Sequence, residues 1–100
     1  MDIKLTKEAV RDREQLSEPE WEEVKEKLSE VTNRLSHKDL KLISNPLLNH
    51  SIWQLTIDEE ETNHRAFLDV RKNGVVALAI WDFDFTHKGD NHWKELQKRV

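Results

Sequence analysis

The chain reads as an α+β domain: a short N-terminal strand, a helical hairpin, then a three-stranded antiparallel meander packed on the helices. Three features predict this. A capped, amphipathic helical pattern dominates the first third of the sequence. Alternating or wholly apolar runs occupy the second half. Two of those runs are joined by Arg71-Lys72-Asn73-Gly74, and Asn-Gly is the strongest short-range hairpin signal because both residues tolerate positive φ.

Ile3 and Leu5 alternate with Asp2 and Lys4, a brief strand pattern. Thr6 caps a first helix over 6–16, which places Ala9, Val10, Arg13 and Leu16 on or near one face. The second helix is the clearest element: Ser17 is its N-cap, Pro19 sits in the first turn, and Glu20 completes a capping box. Trp21, Val24, Leu28, Val31 and Leu35 follow with 3-4-3-4 spacing. Two heptads are too few for a coiled coil, so the stripe reads as the face that packs on a sheet.

Residues 33–49 carry apolar anchors at Leu40, Leu42, Ile43, Leu47 and Leu48, but Asn45-Pro46 breaks any regular element. The segment reads as a loop with one helical turn. Residues 51–57 form a strand with Trp53, Leu55 and Ile57 on one face. Asp58-Glu59-Glu60-Glu61 is a solvated turn, and strands follow over 65–71 and 75–85. Ala66, Leu68 and Val70 share one face of the first, opposite Arg65, Phe67, Asp69 and Arg71. The second is apolar on both faces from Val75 to Trp81, as a central strand should be. It then alternates Phe83 and Phe85 with Asp82 and Asp84. The tail from Asn91 reads as a short terminal helix or a frayed end.

One hundred residues make one domain, 1–100. Apolar residues reach only 36%, so four tryptophans and three phenylalanines must supply much of the core; each buried aromatic removes roughly 150–250 Å² from water. The absence of cysteine excludes a disulfide framework and a thiolate metal site. Met1-Asp2-Ile3-Lys4 lacks the apolar run of a signal peptide. No stretch approaches the roughly 18 apolar residues that span a bilayer, so a cytosolic, non-membrane protein is expected. A net charge of −4 argues against a general nucleic-acid coat. A local basic site is still available, since residues 88–100 hold four basic side chains against two acidic ones.

In an antiparallel pair with a tight turn, the start of one strand lies beside the end of the next. That sets His64-Arg65 against His87-Lys88, with His92-Trp93-Lys94 following, and Arg71 shares the Arg65 face. Imidazoles, a guanidinium and an ammonium gathered at one sheet edge are what binding or cleaving a phosphodiester requires. Plainer roles exist for each. His87-Lys88 can be a polar exit turn, and Arg65 a cross-strand partner of Asp82 or Asp84. His64 and His92 can be strand-edge residues. The spacings of His64, His87, Asp90 and His92 match no zinc framework, so no metal is expected.

The order of elements and these motifs resemble the RelE/ParE toxin superfamily over nearly the whole chain. The matching pieces are Ser51-Ile52-Trp53-Gln54-Leu55, His64-Arg65-Ala66-Phe67, and Phe85-Thr86-His87-Lys88-Gly89-Asp90-Asn91-His92-Trp93. The resemblance implies a toxin component of a type II toxin–antitoxin system that cuts messenger RNA in the ribosomal A site without metal or cofactor. An antitoxin protein would be its partner. Arg65 would stabilise the phosphorane, His87 would act as general base or acid, and Lys88 would neutralise the scissile phosphate. His64, Arg71, His92 and Trp93 would bind substrate. Trp93 stands where many members carry a tyrosine; an indole stacks on a base but transfers no proton. The acidic net charge departs from the basic character of active members. Two other roles are therefore implied as alternatives, a catalytically inactive protein-binding module on the same fold and a ParE-like gyrase inhibitor.

Overall fold

The computed structural model describes residues 2–31 and 35–100. Its elements run β1 (Lys4–Leu5), α1 (Lys7–Arg13), α2 (Glu18–Ser29), β2 (Leu40–Ile43), β3 (Ile52–Asp58), β4 (Asn63–Arg71), β5 (Gly74–Asp82), α3 (Phe83–Thr86) and α4 (Asn91–Arg99). The sheet order is β1-β5-β4-β3-β2. β1 lies parallel to β5, and every other pairing is antiparallel. The result is an α+β domain whose mixed sheet has five strands among the described residues.

Local chemistry explains both helices of the N-terminal hairpin. Thr6 Oγ1 accepts from Ala9 N at 3.2 Å. Ser17 and Glu20 form the reciprocal capping box, Ser17 N to Glu20 Oε1 at 2.8 Å and Glu20 N to Ser17 Oγ at 3.3 Å. α2 then ends at Ser29, short of the full apolar stripe. Val24, Leu28 and Val31 are nonetheless buried against Leu55, Ile57, Ala66, Leu68 and Ile80, with Trp21 and Leu35 at the margin. Lys27, buried on this helix, is held by Glu59 at 2.7 Å and Asp39 at 3.1 Å.

The other face of the sheet carries α4. Leu96 is fully buried there with Ile52, Phe67, Leu78 and Ala79, and Trp93 packs at the edge. A bulge in β5 builds this face: Phe67 pairs with Ala79 while Leu68 pairs with Ala77, so Leu78 is the extra residue. Leu78 and Ala79 thus both reach the α4 side in succession, instead of alternating.

Three sequence expectations need correction, and one alternative is decided. The segment read as a loop contains β2, which pairs Leu40 with Leu55 and Ile43 with Ile52; Asn33, where that loop was placed to begin, lies outside the described residues. The last strand stops at Asp82, not Phe85, because the Asp82 carboxylate caps a one-turn helix by accepting from Phe85 N at 2.8 Å. Of the two readings of the tail, the terminal helix is the one formed, over Asn91–Arg99. In the hairpin turn only Gly74 takes positive φ, at 128°; Asn73 does not.

A second device completes β5. Beyond the two residues of β1, the outer edge of β5 has no neighbouring strand among the described residues. Asp12 from α1 accepts from Ile80 N at 3.0 Å, and Arg99 from α4 donates to the Leu78 carbonyl at 3.0 Å. Those two side chains bind one another, Arg99 Nη1 to Asp12 Oδ2 at 2.6 Å, and the guanidinium lies 4.9 Å from the Trp81 ring centre. Burial works against the charged guanidinium, but the bonds to Asp12 and Glu95 outweigh it and hold Arg99 above its ordinary pKa. An ion pair closes the edge that a longer strand would otherwise cover.

Candidate functional site

β4 and β5 meet as expected, with His64 opposite Asp82 and Arg65 opposite Trp81. Because strand side chains alternate, His64 and Arg65 emerge on opposite faces. Arg65 joins the α3–α4 face and His64 the α1–α2 face.

The α3 turn organises the Arg65 face. Phe83 and His87 stand four residues apart across this single turn, and their rings stack at 3.8 Å between centroids and 22°. The Arg65 guanidinium sits 5.1 Å from the same Phe83 ring. Arg65 Nη1 donates to the His64 carbonyl at 2.9 Å and to Asn63 Oδ1 at 3.0 Å. Its other two guanidinium nitrogens make no hydrogen bond among the described residues, yet they are not sealed from solvent. Arg65 forms no ion pair with Asp82 or Asp84; its cross-strand neighbour is an indole.

His87 is exposed. Its Nδ1 lies 2.9 Å from both the Phe83 carbonyl and Thr86 Oγ1, and Thr86 Oγ1 itself donates to that carbonyl; in the neutral ring this arrangement favours the proton on Nδ1 and turns the Nε2 lone pair to solvent. Lys88 follows it, exposed and without an ion pair among the described residues. His92 is buried between Phe67 and Phe85, at 6.3 and 6.4 Å. Trp93, half-buried, packs edge-on to Phe67 at 6.2 Å. Arg71 is not part of this group. It lies six residues along β4, about 20 Å away at roughly 3.3 Å per residue, where Asp69 holds it at 3.4 Å and it donates to the Arg99 carbonyl.

On the opposite face, His64 is 9% exposed, and neither ring nitrogen has a hydrogen-bond partner among the described residues. It lines an open groove of about 460 Å³ that wraps the edge of β5, with Asp12, Glu20 and Asp82 and, on the α4 side, Trp81 and Phe85. Phe83, Glu20 and Asp12 were missed as site residues from sequence. The alternating pattern places Phe83 in the last strand; the signal for its real position is Asp82 three residues before Phe85, an N-cap spacing.

Burial holds the pKa of both His64 and His92 below the ordinary 6.5. At His64 the Glu20 and Asp82 carboxylates oppose that shift and Arg65 adds to it. At His92 the nearby His87 imidazole adds to it and Asp90 opposes it. An unfolded histidine therefore takes up its proton first as the pH falls, so the stability these residues contribute is complete above 6.5 and is lost below it. The midpoint of urea denaturation is expected to fall between about pH 7.5 and about pH 5, and His92→Leu should flatten part of that slope. An unchanged midpoint across this interval would show that the burial has no such consequence.

Among the described residues no three histidine, aspartate or glutamate side chains converge to hold a metal ion, and no helix is long and apolar enough to cross a membrane. Comparison with protein-family models, with curated proteins and with solved structures returns no match.

Proposed function

We propose that this chain is a RelE/ParE-like toxin component that cleaves messenger RNA on the ribosome and is silenced by an antitoxin. The observation that carries the reading is the stack of Arg65, Phe83 and His87. It sets a guanidinium with a free edge and an imidazole with a free Nε2 about a single aromatic ring. In this reading His87 Nε2 takes the proton of a ribose 2′-hydroxyl, and the 2′-oxygen attacks the adjacent phosphorus to form a 2′,3′-cyclic phosphate as the 5′-oxygen departs with a proton from water. Arg65 meets the charge that grows on the phosphorane, and Lys88 neutralises the phosphate. Trp93 offers the exposed part of its indole for stacking, in a binding role only. No metal is required. The parallel pairing of β1 with the last meander strand, with the helical hairpin between them in sequence, also supports this family reading.

One observation favours a second reading, a non-catalytic binding module. Glu18, Glu22 and Glu26 are exposed on α2, and the same helix holds the acidic turn after β3, where Glu61 N donates to Glu23 Oε1 at 2.8 Å. Such a flank suits a basic partner.

Controlled expression of the chain alone in a bacterial host separates the readings. The nuclease predicts growth arrest and cleavage of messages within the A-site codon in a translating extract. Arrest with intact messages and inhibited gyrase would favour a ParE-like target. Harmless expression with intact messages would leave the binding module.

A further inference from the structure

The groove runs around the open edge of β5, from His64 and Asp82 on one face to Trp81 and Phe85 on the α4 side, and is not used by the proposed nuclease chemistry. Two of its acidic walls have carboxylate capacity to spare. Glu20 uses Oε1 to cap Ser17, and Asp82 uses Oδ1 to cap Phe85, which leaves one oxygen of each without a hydrogen bond among the described residues. Asp12 contributes no free charge, because Arg99 neutralises it. The N-terminus of α2 brings a partial positive charge of about half a unit, too little to cancel two carboxylates. The wall between them is aromatic, with Trp81 and Phe85 edge to face at 4.9 Å.

His64 is the second, independent feature. A buried imidazole with no internal partner costs stability unless something else satisfies it. Its Nδ1 is sealed, while its Nε2 is not. An unmet buried acceptor is tolerated better than an unmet buried donor, so the neutral ring keeps its lone pair on Nδ1 and its proton on Nε2. The groove thus offers two carboxylate acceptors, one N–H donor and an aromatic wall. A free amine or guanidine would satisfy the carboxylates and leave the Nε2–H donor to water. An arginine within a peptide satisfies both, its guanidinium meeting the carboxylates and its own carbonyl accepting from His64. The planar head group also suits the aromatic wall better than a compact ammonium.

We propose that the groove formed by Glu20, His64, Trp81, Asp82 and Phe85 is a receptor for an arginine residue presented by a partner polypeptide. The test uses N-acetyl-arginine-methylamide and butylguanidinium, the latter having the same head group and charge but no carbonyl. Both are titrated against the intact chain while the ¹⁵N resonances of the histidine rings are followed. The arginine amide should bind saturably and move the His64 Nε2–H signal; butylguanidinium should bind about tenfold more weakly and leave that signal in place. Glu20→Gln with Asp82→Asn keeps both helix caps, so the domain should remain folded, yet it should weaken the arginine amide by about tenfold or more. Equal binding of the two ligands would overturn the peptide source. Undiminished binding to the double variant, or no saturable binding by the wild-type chain, would overturn the site.

Discussion

Asp12→Ala should lower the melting temperature by about 10–20 °C, corresponding to a loss of about 2–4 kcal/mol in a domain of this size. Asp12 and Arg99 each have side chains only 12% exposed. Removing the carboxylate strands the guanidinium against Trp81 and also deprives Ile80 N of its acceptor. The two losses can be separated. Asp12→Asn restores an oxygen for Ile80 N but not the charge, and should recover roughly half of the stability. Arg99→Met removes the cation and the donor to the Leu78 carbonyl. Combined with Asp12→Ala, it should cost less than the sum of the single changes, with a coupling of about 1–3 kcal/mol. If Asp12→Ala melts within a degree or two of the parent, water has replaced the pair and the ion pair does not close the edge of β5.

That pair also shows where sequence reading stops. Asp12 and Arg99 are 87 residues apart, and nothing local marks either as a partner. The features legible in sequence were those decided within a few residues. Ser17 and Glu20 define the start of α2 by their own hydrogen bonds, and Thr6 does so for α1. The β4–β5 hairpin was legible from its apolar runs, although the turn needs positive φ only at Gly74. β2 was missed because its exposure does not alternate and its identity comes from pairing with β3. At the candidate site, hairpin geometry set the start of β4 beside the end of β5, but not the packing of Arg65 and of His87 on the Phe83 ring. Phe83 and Phe85 alternate with aspartates as a strand would, and Asp82 converts the pattern into a helical turn. That conversion places Phe83 four residues before His87 in a helix, where the rings stack. His64 was grouped with Arg65 by sequence proximity, whereas the alternation of β4 sends the two to opposite faces.

Arg65→Ala should reduce RNA cleavage by about 10²–10³-fold if the stack is a nuclease site, the loss seen when one preorganised donor to a transition-state oxyanion is removed. The fall should lie in kcat rather than in KM, because charge on the phosphorane develops only as the bond to the 2′-oxygen forms. Arg65→Lys should not rescue it. An ammonium cannot both hold Asn63 Oδ1 and the His64 carbonyl and present a second, planar edge to phosphate. Arg65→Ala also gives up those two hydrogen bonds, a cost of about 1–3 kcal/mol, so rates must be compared at a temperature where both proteins are fully folded. His87→Ala should cost about 10²–10⁴-fold, and the double variant should lose much less than the product, since both residues serve one transition state. The binding-module reading makes the opposite forecast. There, Arg65→Ala leaves partner affinity unchanged once folding is matched, while Glu22→Lys with Glu26→Lys abolishes it by reversing the charge of the α2 flank. A residue whose removal stops cleavage with little effect on substrate affinity belongs to the chemistry; one whose removal changes only melting temperature belongs to the fold.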